Sequence, residues 1–256
     1  MKKKLVRTLL AVVALIALCV CIWCGWYIWQ YYQGEKLGEA MRLIGPDGSL
    51  ADITLEEIEI PVDFAALHEM NPEIYAWLEL PGTDISNAVL QHVGEDQEYY
   101  MDHSEDGSYY SCGSVFSQSY NALGFTDPVT VLYGHNIKDS SRTFATLNKF
   151  SDAEYFRTHR YICVYLPDRE LIYEIFAAYP HSNEHLLLTH DFSDPEQFEA
   201  YFNSVFNTRN LKANFLDDVE LDAKSDRIIT LSTCFADDNR QRYLVQGRLI
   251  AEIPGA

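Results

Sequence analysis

The chain has 256 residues, enough for one sizeable domain with an appendage and a well-buried core. It carries 19 Lys and Arg against 38 Asp and Glu, which gives a formal net charge of −19. Because a phosphate backbone demands a basic face, this balance argues against nucleic acid as a partner.

The N-terminal segment has the features of a membrane anchor. Four basic residues within the first seven precede an uncharged stretch whose apolar body is TLLAVVALIALCVCIWCGWYIW. As a helix this body would extend roughly 33 Å, enough to cross a bilayer core. The Trp and Tyr cluster at its far end is typical of an interfacial belt, and the basic flank orients the remaining chain outside the cell. We expect residues 1–33 to form a cytoplasmic tip and an uncleaved transmembrane anchor, and residues 34–55 a polar stalk.

Cysteine usage indicates a chemical role for one thiol. Three of the six cysteines lie in the predicted anchor, and Cys112, Cys163 and Cys234 lie beyond it. An odd number in an extracytoplasmic domain requires a free thiol or a bridge between chains. Cys163 lies in an apolar run typical of a core, whereas Cys112 fits either a core or a modestly reactive site. Cys234 differs because polar residues precede it and a polar loop follows, so a chemical role is favoured there.

The predicted domain, residues 56–256, begins with helices and continues mainly with strands. DFAALHEM has helical spacing, and NPEIYAWLEL begins with Asn as an N-cap and Pro at the first helical position. From TDISNAVLQ onwards, at least seven short β-branched and aromatic runs are separated by turn residues. This pattern predicts a mainly β fold with peripheral helices, either a barrel or a sandwich.

A long insertion separates the strand that ends near Tyr179 from the strand that begins near Arg227. It contains SDPEQFEAYFNSVF, whose aromatic residues recur with helical spacing. Ser193 and Glu196 are predicted to form the capping box of this helix.

A thiolate nucleophile needs a base or cation nearby, and His135 is the best candidate base. It follows the strand DPVTVLYG, so the imidazole leaves the sheet at a turn, as Cys234 does at the end of its own strand. A solvated turn histidine is the alternative. The histidines of HSNEHLLLTH lack a matching Cys or carboxylate pattern, and no metal site is expected. The remaining histidines are expected on the surface: His68, His92, His103 and His159.

An arginine is expected beside the thiol. Arg242 begins the apolar run RYLVQGRLI eight residues after Cys234, which puts guanidinium and thiol at the facing ends of two successive strands. Arg240 competes for this role because residues two apart on a strand share a face. Arg242 is preferred because it begins the predicted strand.

These strings resemble the sortase family, the transpeptidases of Gram-positive cell surfaces. The resemblance rests on TLSTC with an Arg eight residues after its Cys, and on YGHN upstream. The helix-bearing insertion before TLSTC and the leading stretch are similar to class B sortases in particular. The resemblance covers roughly residues 56–251. It implies an eight-stranded sortase-like β-barrel in which His135, Cys234 and Arg242 converge at one end.

The resemblance also implies a cysteine transpeptidase that needs no metal or organic cofactor. Cys234 would attack the carbonyl of a Thr in the C-terminal sorting signal of a surface protein, and His135 would protonate the leaving amine. Arg242 would hold the carbonyl or stabilise the oxyanion, and Ser232 is expected to bind substrate. The acceptor would be a lipid-linked peptidoglycan precursor at the membrane face or, in a pilin-polymerising sortase, a pilin lysine. A non-catalytic, membrane-tethered binding module is the alternative from another class.

Overall fold

The computed structural model describes most of the predicted catalytic domain: residues 58–137, 143–217, 219–238 and 240–256. The predicted anchor and stalk, residues 1–33 and 34–55, lie outside the described residues. Within the described part of the chain, no helix combines the length and the apolar composition that a bilayer span requires.

The described residues form helices, short 3₁₀ turns and strands, and more of them lie in strands than in helices. In chain order the elements are α1 (Phe64–Met70), β1 (Ile74–Glu79), β2 (Ser86–Leu90), a 3₁₀ turn (Tyr99–Met101), β3 (Val115–Phe116), β4 (Val129–Tyr133), a second 3₁₀ turn (Leu147–Ser151), α2 (Ala153–Thr158), β5 (Tyr161–Leu166), β6 (Arg169–His181), α3 (Leu186–Thr189), α4 (Pro195–Phe206), β7 (Asn214–Phe215), β8 (Ile228–Cys234) and β9 (Arg242–Pro254).

The strands of the described residues close into a barrel. Their order is β5-β1-β2-β3-β4-β8-β9-β6-β7, and β5 also pairs with β6. The ring therefore closes through eight strands and leaves the two-residue β7 attached to β6. The β2–β3 and β4–β8 pairs are parallel, and the other pairs are antiparallel. The predicted eight-stranded, mainly β barrel with peripheral helices and a helix-bearing insertion is confirmed.

Alternation of side chains along the strands produces a core on each face of the sheet. Leu132 and Leu231 point into the barrel and belong to the larger core. Val131 and Leu244 point outwards and belong to a second core together with Phe202 of α4. The insertion helix therefore covers the outer face of β4, β6, β8 and β9. Of these strands, β8 ends in TLSTC and β9 begins with RYLVQGRLI.

The segment NPEIYAWLEL forms a strand, and the prediction of a helix there was wrong. Helix α1 ends at Met70 with Asn71 as its C-cap, and Pro72 follows that end instead of beginning a second helix. Residues Ile74–Glu79 form β1, which pairs with β2 on one side and β5 on the other. Asn-Pro fits both a helix start and a helix end, and pairing on both edges of β1 decides between them.

The other predicted helices are present, with one difference in capping. DFAALHEM forms α1, and the insertion helix is α4. The N-cap of α4 is Asp194, whose carboxylate accepts a hydrogen bond from the Glu196 amide at 3.0 Å. The predicted Ser193 capping box was therefore wrong. The Ser193 hydroxyl donates to Asp191 instead, because the chain enters the helix one residue later than the pattern suggested.

Candidate active site

Four adjacent strands begin or end at one edge of the barrel, and three of them, β4, β8 and β9, bring the predicted site residues there. Strands β4 and β8 are parallel, so their C-terminal ends lie side by side. Strand β9 is antiparallel to β8, and its first residue, Arg242, pairs directly with Cys234, the last residue of β8. Strand β6 is antiparallel to β9, and its last residue, His181, pairs with Arg242. His135 lies two residues beyond the end of β4.

The Arg242 guanidinium contacts the Cys234 thiol. Its Nη1 lies 2.9 Å from Sγ. Side chains directly opposite one another on an antiparallel pair are neighbours, so the strand register itself creates this contact. Arg240, the competing arginine, forms two bonds with Asp238 at 2.9 and 3.0 Å, and its side chain is 86% exposed. Of these two arginines, the structure therefore places Arg242 against the sulfur.

His135 is held by hydrogen bonds to both its ring and its backbone. Its Nε2 lies 2.7 Å from the carbonyl oxygen of Met101. Because a carbonyl oxygen carries no proton, Nε2 must be the donor, which assigns a proton to that nitrogen. The His135 carbonyl accepts from the Phe144 amide at 3.1 Å and from the Thr143 hydroxyl at 2.7 Å.

Gly134 lets the chain pass closely over the barrel core just before His135. A Cβ at this position would lie 2.8 Å from the Phe144 ring, which is fully buried. The Gly134 carbonyl accepts from the Thr233 hydroxyl at 2.7 Å, which ties the turn after β4 to the end of β8. The glycine in YGHN is therefore required by close packing.

The side-chain amides of two asparagines hold the main chain of the thiol residue. The Nδ2 groups of Asn136 and Asn148 each lie 3.1 Å from the Cys234 carbonyl oxygen and donate to it. Neither asparagine was predicted from the sequence. Asn136 directly follows His135, so its position could have indicated it. Asn148 carries no comparable signal, because the fold alone brings it to Cys234.

The two backbone amides that follow the thiol already have hydrogen-bond partners. Phe235 donates its amide to the Gln241 carbonyl at 3.0 Å, and Ala236 donates to the Asn148 side chain at 3.0 Å. These two amides are therefore not free to bind an oxyanion in this conformation. The guanidinium of Arg242 is already in contact with the Cys234 sulfur and is the better placed donor.

A cavity of about 380 Å³ lies over this edge of the barrel. All four residues proposed from the sequence line it: His135, Ser232, Cys234 and Arg242. Ser232 and Cys234 lie two apart on β8 and so share the outer face of the sheet. The cavity is thus formed where the outer face of the barrel emerges from under the insertion.

The cavity lining also contains polar groups from the end of β6, from the insertion and from the loop after β3, none of them predicted from the sequence as site residues. His181 Nε2 lies 3.1 Å from a Glu184 carboxylate oxygen, and His185 Nε2 lies 2.7 Å from Oε1 of Gln118. All four of these residues line the cavity. Burial lowers the pKa of His181, against the opposing effect of the Glu184 carboxylate. Among the described residues, no group of three or more His, Cys, Asp or Glu side chains is arranged to hold a metal ion.

The other two described cysteines do not line the cavity. Cys163 lies on β5, is buried, and packs in a small cluster with Phe64 and Tyr165. Burial raises the pKa of the Cys163 thiol well above its usual range. Its predicted place in the core is confirmed. Cys112 is half-buried, and all three cysteines that the structure describes are free thiols.

Similarity to known proteins identifies the family. A family model of the sortase domain matches residues 78–250. The chain belongs to the sortase family. Sortases are cysteine transpeptidases that act on surface proteins bearing a sorting signal, so this chain is an enzyme of that type.

The relatives of this sortase are of class B. Sortase B of Listeria monocytogenes is 30% identical over 196 residues, 76% of each chain, and sortase B of Staphylococcus aureus is 26% identical over 171 residues, 67% of each chain. The structure of Clostridium perfringens sortase B matches with a TM-score of 0.65 and 28% identity, covering 74% of this chain and 100% of that one. A Streptococcus pyogenes class B sortase involved in pilus biogenesis matches with a TM-score of 0.61 and 25% identity, covering 74% and 98%. The class B resemblance is confirmed.

Proposed function

We propose that this sortase cleaves the C-terminal sorting signal of surface proteins after Thr and transfers the acyl group to the amine of a cell-wall precursor. One observation carries the proposal: the Arg242 guanidinium lies 2.9 Å from the Cys234 sulfur. His135 lines the same cavity and supplies an acid and base for the same reaction.

The first half of the reaction forms a thioester. The Cys234 thiolate attacks the Thr carbonyl carbon, and an electron pair moves onto the carbonyl oxygen. That oxyanion forms next to the sulfur, within reach of the donors of Arg242. When the intermediate collapses, the C–N bond breaks, and His135 gives a proton to the leaving amine. Ser232, beside Cys234 on the cavity wall, is proposed to contact the bound signal.

The second half transfers the acyl group. The acceptor amine attacks the thioester carbon, His135 takes the proton that this amine loses, and the Cys234 thiolate leaves. We propose a lipid-linked peptidoglycan precursor as the acceptor. Similarity to the S. pyogenes class B sortase involved in pilus biogenesis favours a pilin lysine as a second candidate. A non-catalytic binding module is not favoured, because the family consists of enzymes.

We also propose the location of the enzyme. Residues 1–33 would form a single-pass anchor with a cytoplasmic N-terminus, residues 34–55 a stalk, and residues 56–256 the extracytoplasmic catalytic domain. This arrangement would put the thiol on the membrane face where a lipid-linked acceptor resides. A chain that begins at Gly34 should be soluble and active. Insolubility of that chain, together with activity of the full chain in detergent, would contradict the boundary.

The test of the reaction is cleavage of a panel of quenched fluorescent sorting-signal peptides. Cys234→Ala should abolish cleavage and also abolish capture of the thioacyl enzyme by an added amine. The matched controls are Cys112→Ala and Cys163→Ala, which remove thiols outside the cavity. Loss of turnover in either control, with the circular dichroism spectrum unchanged, would contradict Cys234 as the nucleophile.

A further inference from the structure

The hydrogen bond from His135 to Met101 makes a distant turn part of the reaction geometry. Met101 contributes a backbone carbonyl, 34 residues before His135 in the chain, and the bond from Nε2 is 2.7 Å long. Because the acceptor is a backbone oxygen, rotation of the Met101 side chain does not move it. The position of the turn Tyr99–Met101 therefore sets the position of the imidazole.

Tyr100 fixes that turn from within the protein. Its side chain is 1% exposed, and its hydroxyl donates to a Glu73 carboxylate oxygen at 2.5 Å. The same hydroxyl accepts a hydrogen bond from the Asn71 side chain at 2.8 Å. Both partners come from the segment between α1 and β1, so the hydroxyl of Tyr100 joins the turn to the start of the barrel. Burial and the neighbouring Glu73 carboxylate raise the pKa of Tyr100, which keeps the hydroxyl protonated as a donor.

Glu73 is a firm anchor for Tyr100. Its carboxylate accepts from Nδ1 of His92 at 3.0 Å and from the amide of Val93 at 3.0 Å. Burial alone would raise the pKa of Glu73, but the hydrogen bonds from Tyr100, Val93 and His92 together lower it. The group therefore stays ionised, and a charged acceptor binds a phenol more strongly than a neutral one.

The other side of the turn is closed by Gly113 and Ser114. The Ser114 amide donates to the Tyr100 carbonyl at 3.0 Å. Gly113 has a φ of +57°, and a Cβ there would lie 2.4 Å from the Met101 oxygen and 2.6 Å from the Tyr100 oxygen. The carbonyls of Tyr100 and Met101 are thus packed directly against the backbone of Gly113. In this position the Met101 oxygen faces His135.

We propose that Tyr100 is a positioning residue for His135: through its bond to Glu73 it holds the Met101 carbonyl where it keeps a proton on Nε2 of the imidazole. Nδ1 is then the ring nitrogen that gives a proton to the leaving amine and takes one from the attacking amine. The inference rests on the proposed function for the two proton transfers at Nδ1. The tautomer of the His135 ring, in contrast, can be measured without substrate.

The test is Tyr100→Phe in the full-length protein, which removes the hydroxyl and little else. Nitrogen-15 NMR of histidine side chains at alkaline pH, with His135 assigned by its absence in His135→Ala, reports the tautomer. We expect a single tautomer with the proton on Nε2 in the wild type and a mixture in Tyr100→Phe. For a sorting-signal peptide, kcat should fall by roughly 10–100-fold with KM unchanged, because a misplacement of about 1 Å is enough for such a loss.

Two further variants make the result decisive. Tyr179→Phe is the matched control: its side chain is also 1% exposed, and its hydroxyl bonds Gln246 and Tyr201 outside the cavity. Glu73→Gln keeps an uncharged acceptor for Tyr100, so it should give intermediate effects even if Tyr100→Phe folds poorly.

The proposal is overturned if folded Tyr100→Phe keeps the wild-type tautomer, or if its kcat falls no further than that of Tyr179→Phe. If Tyr100→Phe does not fold, the proposal is overturned when Glu73→Gln changes neither the tautomer of His135 nor kcat. If the tautomer changes in Tyr100→Phe while the wild-type protein cleaves no sorting-signal peptide, the positioning role stands and the proposed function fails.

Discussion

Replacing Arg242 by Lys tests whether the guanidinium, and not only its charge, is used in the reaction. In the folded protein Nη1 of Arg242 touches the Cys234 sulfur at 2.9 Å because the two residues are paired across β8 and β9. A lysine at this position keeps the positive charge but has a shorter reach and no planar fork of donors. It therefore cannot hold both the sulfur and the developing oxyanion.

The magnitude follows from that loss. Removing one oxyanion donor costs about 2.7–4 kcal/mol in comparable sites, or roughly 10²–10³ in kcat. We expect Arg242→Lys to fall in this range, because the two backbone amides after the thiol already donate to Gln241 and Asn148. Arg240→Lys is the matched control, since that side chain pairs with Asp238 in an exposed turn. Its turnover should be unchanged.

Steady-state cleavage of a sorting-signal peptide by both variants decides the matter. A fall in kcat at constant KM places Arg242 on the transition state, whereas a rise in KM alone places it on the bound substrate. Wild-type turnover in Arg242→Lys together with loss in Arg240→Lys would mean that the wrong arginine was chosen. Wild-type turnover in both would refute guanidinium catalysis.

Two stability predictions concern Gly134, next to the site, and Glu170, beside the small cluster around Cys163. Gly134→Ala puts a methyl group 2.8 Å from the buried Phe144 ring, so we expect a loss of about 1–3 kcal/mol by urea denaturation and reduced turnover from the displaced His135. Burial raises the pKa of Glu170 to about 7, beside Cys163. The folded state then keeps a proton that the unfolded chain releases near pH 4.5. Stability should therefore fall by about 3 kcal/mol as the pH rises from about 4.5 to about 7. In Glu170→Gln this fall should be absent, and a parallel fall in both proteins would contradict the assignment.

The parts of the site that follow from strand register were predictable from the sequence. An apolar run that ends in Cys234 and a second that begins with Arg242 indicate a hairpin-like pair, and such a pair puts the two side chains opposite one another. His135 was proposed for a similar reason, since YGHN marks the end of a strand. Register also explains His181, which pairs with Arg242 at the end of β6. From the sequence, that histidine was interpreted only as a candidate metal ligand.

The parts that depend on long-range packing were not predictable. Asn148 reaches Cys234 from a 3₁₀ turn 86 residues earlier, and Met101 reaches His135 with a backbone atom that has no side-chain signature. The segment NPEIYAWLEL was assigned to a helix for the same reason. Its local pattern fits a helix start, and only pairing with β2 and β5 makes Ile74–Glu79 a strand. Tertiary contacts override local propensity in each case.

The two halves of the site are held by different means, and this difference has a consequence for mutants. Cys234 and Arg242 are fixed by the β8–β9 ladder, which also buries core residues on both faces of the sheet. Changes that shift this ladder should therefore lower stability and activity together. His135 is fixed by a turn that is joined to the barrel through the Tyr100–Glu73 bond. Changes in that bond should raise the activation free energy of turnover by more than they lower the free energy of unfolding. The ratio of these two free-energy changes therefore distinguishes variants of the ladder from variants of the turn.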